Sequence, residues 1–176
     1  MKKILIIGTL PPPIGGVTIH LERTLLNLKE LNVPYKFIDY KKASLISLFL
    51  SIHTHEKIVL HASNYWFIFP IISCARLFKK DLRFIVHGKL NSQLGICVLL
   101  EKWSCKISSK IFVLNFTDFK LAQKLNPKVE LISAFIPPFN HIVCEKVNDI
   151  INKFINDTDH DGVYCSNAYN YSINKH

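Results

Sequence analysis

The chain has 176 residues, 49% hydrophobic and 20% charged, with a net charge of +9. That length holds one full domain with some chain to spare, and the composition excludes a disordered polar chain. The charge is uneven: residues 140–176 carry three Lys against five acids, a balance of −2, so the first 139 carry +11, which suits anionic partners such as phosphates or an anionic lipid surface.

The opening Met1-Lys2-Lys3 before ILIIG imitates a secretory signal. The apolar run is too short, however, and Pro11-Pro12-Pro13 follows it with no small-residue cleavage site. KILIIG (3–8) reads as a first strand. A helix is predicted over 17–31, because Val17, Leu21, Leu25 and Leu28 recur at spacings of four and three and make one apolar stripe. YKFIDY (35–40) reads as a strand and 43–52 as a short apolar helix. KIVLHAS (57–63) is a third strand, followed by a helix over 65–79 that ends in Lys79-Lys80. RFIVHG (83–88) is a fourth strand, 92–108 a helix, and KIFVLN (110–115) a fifth strand. Thr117 is placed to cap a helix running to Leu125. VELISAFI (129–136) is a sixth strand, stopped by Pro137-Pro138.

This alternation predicts an α/β fold: a parallel sheet with helices on both faces and right-handed crossovers. Beyond it the pattern changes. Residues 145–156 read as a helix, DTDHDG (157–162) as a polar turn and VYCSNAY (163–169) as the start of another strand. We therefore expect a first domain over 1–139, a linker and helix over 140–161, and over 162–176 the opening of a second domain that is missing.

Cys74, Cys97, Cys105, Cys144 and Cys165 are scattered with no C-x-x-C pair, which fits buried thiols in a reducing compartment. The most apolar windows, 45–52 and 65–75, fall short of the ~20 residues of a spanning helix. A cytoplasmic protein is expected. Lys41-Lys42, Lys79-Lys80 and Lys102/Lys106/Lys110 read as solubilising, or, beside the apolar windows, as a basic rim for peripheral contact with the inner face of the cell membrane.

Ligands of open parallel sheets bind beyond the carboxyl ends of the strands. Three stretches fall there: the loop after the first strand, His87-Gly88 and Asn115. In GTLPPPIGGVTIH (8–20), Gly15-Gly16 opens a helix whose bare N–H groups favour an anion and whose missing Cβ atoms allow close approach. The alternative is an ordinary tight loop. The pattern is neither G-x-G-x-x-G nor a P-loop. His20 faces a cleft or serves the core. His87, at the end of a buried strand, is placed to orient a hydroxyl or contact a phosphate, with Lys89 adding charge. His61 has lower odds. His53 and His55 lack a further ligand set, so no metal site is expected. Glu22 and Glu30 lie about 80° apart around a helix and read as solvated.

The stretch KILIIGTLPPPIGGVTIHLERTLLNL resembles the start of a bacterial GT4-type glycosyltransferase of the GT-B class, which pairs two Rossmann-like domains. RFIVHG, KIFVLNFTDFKLAQKL and VELISAFIPPF extend the resemblance over residues 2–139. It implies a Rossmann-like acceptor-binding domain, one half of a GT-B fold, in an enzyme of surface polysaccharide synthesis. Such enzymes move a hexosyl group from a nucleotide diphosphate to a lipid-linked or saccharide acceptor, usually retaining configuration and without a metal. By resemblance Gly15 and Gly16 lie near the donor diphosphate or sugar and His87 near the reacting centre as the catalytic candidate. His20, Lys89 and Asn115 would then fall on the acceptor side. No cofactor is implied, since the nucleotide sugar is a substrate. The donor domain should follow residue 162, and without it the chain alone is expected to be inactive. The alternative is a non-catalytic Rossmann-like module that binds a membrane surface or a partner enzyme. A nucleic-acid partner is not expected, because no aromatic-basic motif matches.

Overall fold

A computed structural model describes residues 3–91, 95–134 and 136. The expected linker (140–161) and the expected opening of a second domain (162–176) lie outside the described residues.

Strands and helices alternate throughout: β1 (Ile4–Gly8), α1 (Gly16–Glu30), β2 (Tyr35–Asp39), α2 (Leu45–Thr54), β3 (Lys57–Ala62), α3 (Tyr65–Leu77), β4 (Asp81–Val86), α4 (Ile96–Ile107), β5 (Lys110–Val113), α5 (Phe116–Gln123) and β6 (Val129–Leu131). The six strands form one sheet in the order β2-β1-β3-β4-β5-β6, and every neighbouring pair is parallel. This is a Rossmann-like α/β architecture. The chain steps outward once from β1 to β2, crosses back to β3, and then runs the other way to β6. The reversal therefore falls between β1 and β3, where open α/β sheets hold their ligands.

Period-two alternation divides the side chains between two layers. Leu5, Ile7, Ile58, Leu60, Phe84, Ile111 and Val113 join the larger core with the buried faces of α2, α3, α4 and α5. Ile6 faces the other way, onto Leu21 and Leu25 of α1, with Phe37 and Val59 beside it. Gly8 lets α1 come this close. A Cβ there would lie 2.4 Å from Leu21 Cδ2 and 3.1 Å from the His61 carbonyl oxygen.

Several boundaries differ from the sequence reading. The predicted stripe of α1 is buried at Leu21 and Leu25, but Val17 and Leu28 are only half-buried, and Thr18 and His20 are buried as well. α2 starts two residues late because Ser44 caps it, its hydroxyl accepting from the Ser47 amide. β4 starts at Asp81, paired with Lys57, and ends at Val86, so His87 follows the strand rather than ending it. Thr117 is not the cap of α5. Asn115 is, its Oδ1 accepting from the Asp118 amide at 2.8 Å. β6 spans three residues rather than eight, because β5 ends at Val113 and offers no further partner after the Ile132 amide donates to the Val113 carbonyl. The chain then leaves the sheet toward α1, where Arg23 donates to the Ile136 carbonyl at 2.7 Å.

Candidate functional site

Each helix returns antiparallel to the strands, so helix N-termini and strand carboxyl ends share one edge of the sheet. α1 meets that edge through Gly15 and Gly16. Gly15 caps α1 with no side chain. Thr18 takes over part of the role, its Oγ1 accepting from the Gly15 amide and lying 3.0 Å from the Pro13 carbonyl. A Cβ at Gly15, Gly16 or Gly88 would meet nothing within 4 Å, and Gly15 has an extended φ of −166° that any residue adopts. Neither packing nor backbone geometry requires glycine at Gly15, unlike Gly8.

One turn further along α1, His20 meets two other histidines. His61, near the carboxyl end of β3, alternates onto the α1 face of the sheet, and His87, just past β4, follows the same alternation. The ring centroids lie 5.0 Å (His20–His87), 5.4 Å (His61–His87) and 5.6 Å (His20–His61) apart. His87 Nε2 and His61 Nδ1 are 3.3 Å apart. His61 is fully buried and its Nε2 has no hydrogen-bond partner. His20 is also buried and makes no well-formed hydrogen bond, although the nearby Ser133 backbone favours its protonated form. Burial lowers all three ring pKa values. His61 falls to about 3, by desolvation and then by its two histidine neighbours, and His87 falls to about 4, by desolvation and then by His20. The triad is therefore neutral at pH 7.

His87, Gly88, Lys89, Leu114, Asn115 and Thr117 line a cleft of about 320 Å³. The loop behind it is tied down by two buried carboxylates that sequence reading missed. Asp118 Oδ1 accepts from the Leu90 amide at 2.9 Å, and Glu101 Oε1 accepts from the Asn91 amide at 2.7 Å. A signal for Asp118 was present, since it stands three residues after the cap Asn115. Asn115 lines the cleft, but its side chain is engaged twice, its Nδ2 also donating to Asp118 Oδ2 at 2.6 Å. Gly15 and Gly16 do not line this cleft; α1 links them to it through His20. His61, ranked below His87 in the sequence, packs against both of the other two.

The expected basic rim does not form as one surface. Lys41-Lys42 follow β2 at the carboxyl edge, whereas Lys79-Lys80 follow α3 and Lys110 opens β5 at the amino edge, where Lys110 pairs with Glu130. What does gather at the carboxyl edge is apolar. The first turns of α2, α3, α4 and α5 each expose a large side chain: Leu45 at 81%, Trp66 at 59%, Ile96 at 56% and Phe116 at 60%. No described helix is long and apolar enough to cross a membrane.

Fold and site together define a Rossmann-like α/β protein with three clustered histidines at the carboxyl edge of its sheet and a cleft between the loops after β4 and β5. No family model matches the chain, and no curated protein matches it significantly.

Proposed function

We propose that residues 1–139 are the acceptor-side part of a glycosyltransferase that takes a sugar from a nucleotide diphosphate and passes it to a lipid-linked or saccharide acceptor. The observation that supports this reading is that the cleft of His87, Lys89 and Asn115 shares the carboxyl edge of the sheet with the start of α1, where the missing side chains of Gly15 and Gly16 leave open space. An open helix start suits a diphosphate. His87, half-buried and neutral, is placed to accept a hydrogen bond from an acceptor hydroxyl, and an incoming phosphate would raise its basicity toward neutral pH. In this reading transfer also needs charge stabilisation of the leaving diphosphate from a second wall of the cleft.

The test is an amide-shift titration of the chain with uridine diphosphate and, separately, with farnesyl phosphate. We expect shifts at Gly15, Gly16, Gly88, Lys89 and Asn115. Shifts confined to the amino edge, around Arg83 and Lys128, or none at millimolar ligand, would overturn the reading. Repeated turnover of nucleotide sugars by the chain alone would contradict the two-wall requirement.

The exposed first-turn residues favour a second reading, a module that docks this edge on an anionic lipid surface, with Lys41 and Lys42 beside the apolar side chains. Sedimentation with anionic but not neutral vesicles, weakening with salt, would support it. Equal binding to both, or to neither, would remove it.

A further inference from the structure

Three imidazoles meeting in a buried place need an account of their nitrogens. Among themselves they make one hydrogen-bond contact, the 3.3 Å approach of His87 Nε2 to His61 Nδ1. Both ring nitrogens of buried His20, and Nε2 of fully buried His61, are left without a well-formed hydrogen bond. Buried polar groups are nearly always paired, and an exception calls for a ligand, a water or an ion. One ring nitrogen from each of His20, His61 and His87 can be chosen so that all three lie within 4.8 Å of one another.

We propose that His20, His61 and His87 form a three-histidine site for a divalent transition-metal ion of the zinc type, with its fourth position open toward the cleft beside His87. A tetrahedral ion with metal–nitrogen bonds of about 2.0–2.1 Å holds its ligand nitrogens about 3.4 Å apart. The 3.3 Å between His61 Nδ1 and His87 Nε2 is of that length, which takes Nδ1 rather than the unpaired Nε2 as the His61 ligand. His20, at a ring-centroid distance of 5.0 Å from His87, closes the triangle by a small ring movement. All-imidazole donors select zinc, cobalt or nickel and reject magnesium and calcium, which require oxygen. With no carboxylate or thiolate in the set, a bound ion would keep its full positive charge. Its fourth position then takes water or an anionic oxygen such as a phosphate. Nothing in this assignment requires a sugar donor, but a metal-bound His87 carries its proton on the other ring nitrogen and would not accept the hydroxyl hydrogen bond proposed above, so the two roles compete at that residue.

The test uses the full chain, stripped with a chelator and titrated with Co²⁺ by visible absorption and with Zn²⁺ by calorimetry. We expect one ion per chain at micromolar affinity or tighter, with the intense absorption of tetrahedral cobalt. His87→Asn should weaken binding at least tenfold, and His20→Asn and His61→Asn likewise. His53→Ala, on the exposed side of α2, should leave binding unchanged. His61→Asn alters a fully buried residue and can lose the fold. His87→Asn alters a half-buried one and keeps the test readable, with far-ultraviolet dichroism reporting the fold. Absence of stoichiometric binding, the weak spectrum of octahedral cobalt, or affinity undiminished in folded His87→Asn would each overturn the assignment.

Discussion

The two ends of the sheet solve the same problem in opposite ways. At the amino end, several polar groups are paired within the protein. Lys110 meets Glu130, and Arg83 lies 3.4 Å from Asp81, although Arg83 Nε and Ser104 Oγ make no hydrogen bond. Buried Asn126 donates from Nδ2 to the carbonyls of Cys105 and Ser108 at 3.0 and 2.8 Å, and its Oδ1 accepts from the Lys128 amide. A depression of about 520 Å³ at that end is lined by these partnered charges. At the carboxyl end, His61 Nε2 is unpaired, three glycines leave open space and apolar side chains start four helices. Asn126 and the Lys110–Glu130 pair at the amino end bond to the fold itself. At the carboxyl end bonding capacity is left unspent, the usual mark of a place where something else binds.

The largest expected effect comes from acid, because it acts on the unpaired end. In chelator-treated protein the folded His61 has its pKa lowered to about 3, against 6.5 when unfolded. Between those values the unfolded chain binds more protons than the folded one, so stability falls as pH drops from about 6.5 toward 3. His61 alone withdraws about 1.4 kcal/mol per pH unit in that window, and His87, lowered to about 4, acts in the same direction. Against a total stability of about 5–15 kcal/mol, this predicts cooperative unfolding well before carboxylates are fully protonated. Circular dichroism across pH 7 to 3 checks it, and His61→Leu should flatten the slope. A wild-type slope near zero between pH 6.5 and 4.5 would refute the claim that the triad is held neutral.

Next in size is the amino end. Asn126→Ala removes three hydrogen bonds and strands two buried carbonyls, a cost of about 3 kcal/mol. Urea unfolding should show the midpoint falling while uridine diphosphate or metal binding by the folded variant stays as in the parent. A loss below about 0.5 kcal/mol would mean that water replaces the side chain, and that the two ends are not as different as described.

How much of this was legible in the sequence depends on distance along the chain. The alternating elements were legible because their signals are local: apolar strands such as ILII, the four-and-three spacing of Leu21 and Leu25, and Lys at helix ends. Boundaries failed where a side chain far from the apolar pattern decided them, as Asn115 did for α5. They failed too where a partner ran out, as β5 did for β6. Individual site residues were legible because a parallel sheet sends them to one edge. Their grouping was not. His20, His61 and His87 stand on three separate elements, and only the adjacency of β1 with β3 and of β3 with β4 brings them together. The sequence carries no local mark of strand order, so only His53 and His55, neighbours in the chain, can be weighed from it as a metal pair, and they are set aside for want of further ligands. Glu101 and Asp118 were hidden for a related reason: on a helix, an acid reads as solvated until the loop it supports is known.

The smallest stability effect is the one that bears most directly on function, and it comes from comparing two glycines. Gly8 and Gly16 flank the same loop, yet they are glycine for different reasons. At Gly8 a Cβ would press 2.4 Å from Leu21 Cδ2, with the His61 carbonyl at 3.1 Å and its Cβ at 3.2 Å. Leu21 is fully buried, so α1 must move off the sheet, and Gly8→Ala should cost about 1–3 kcal/mol while disturbing the histidines beneath it. At Gly16 nothing lies within 4 Å. Gly16→Ala should leave stability within about 1 kcal/mol of the parent, on the stabilising side, because alanine loses less backbone entropy in a helix. If the opening of α1 receives a phosphate, that same methyl group narrows the approach and binding of uridine diphosphate should weaken severalfold. Thermal melts and a binding titration on both variants separate the cases. A Gly16→Ala protein that is as stable as the parent and binds as well would show that the bare helix start is only a turn, and the proposed donor contact at residues 15 and 16 would have to be given up.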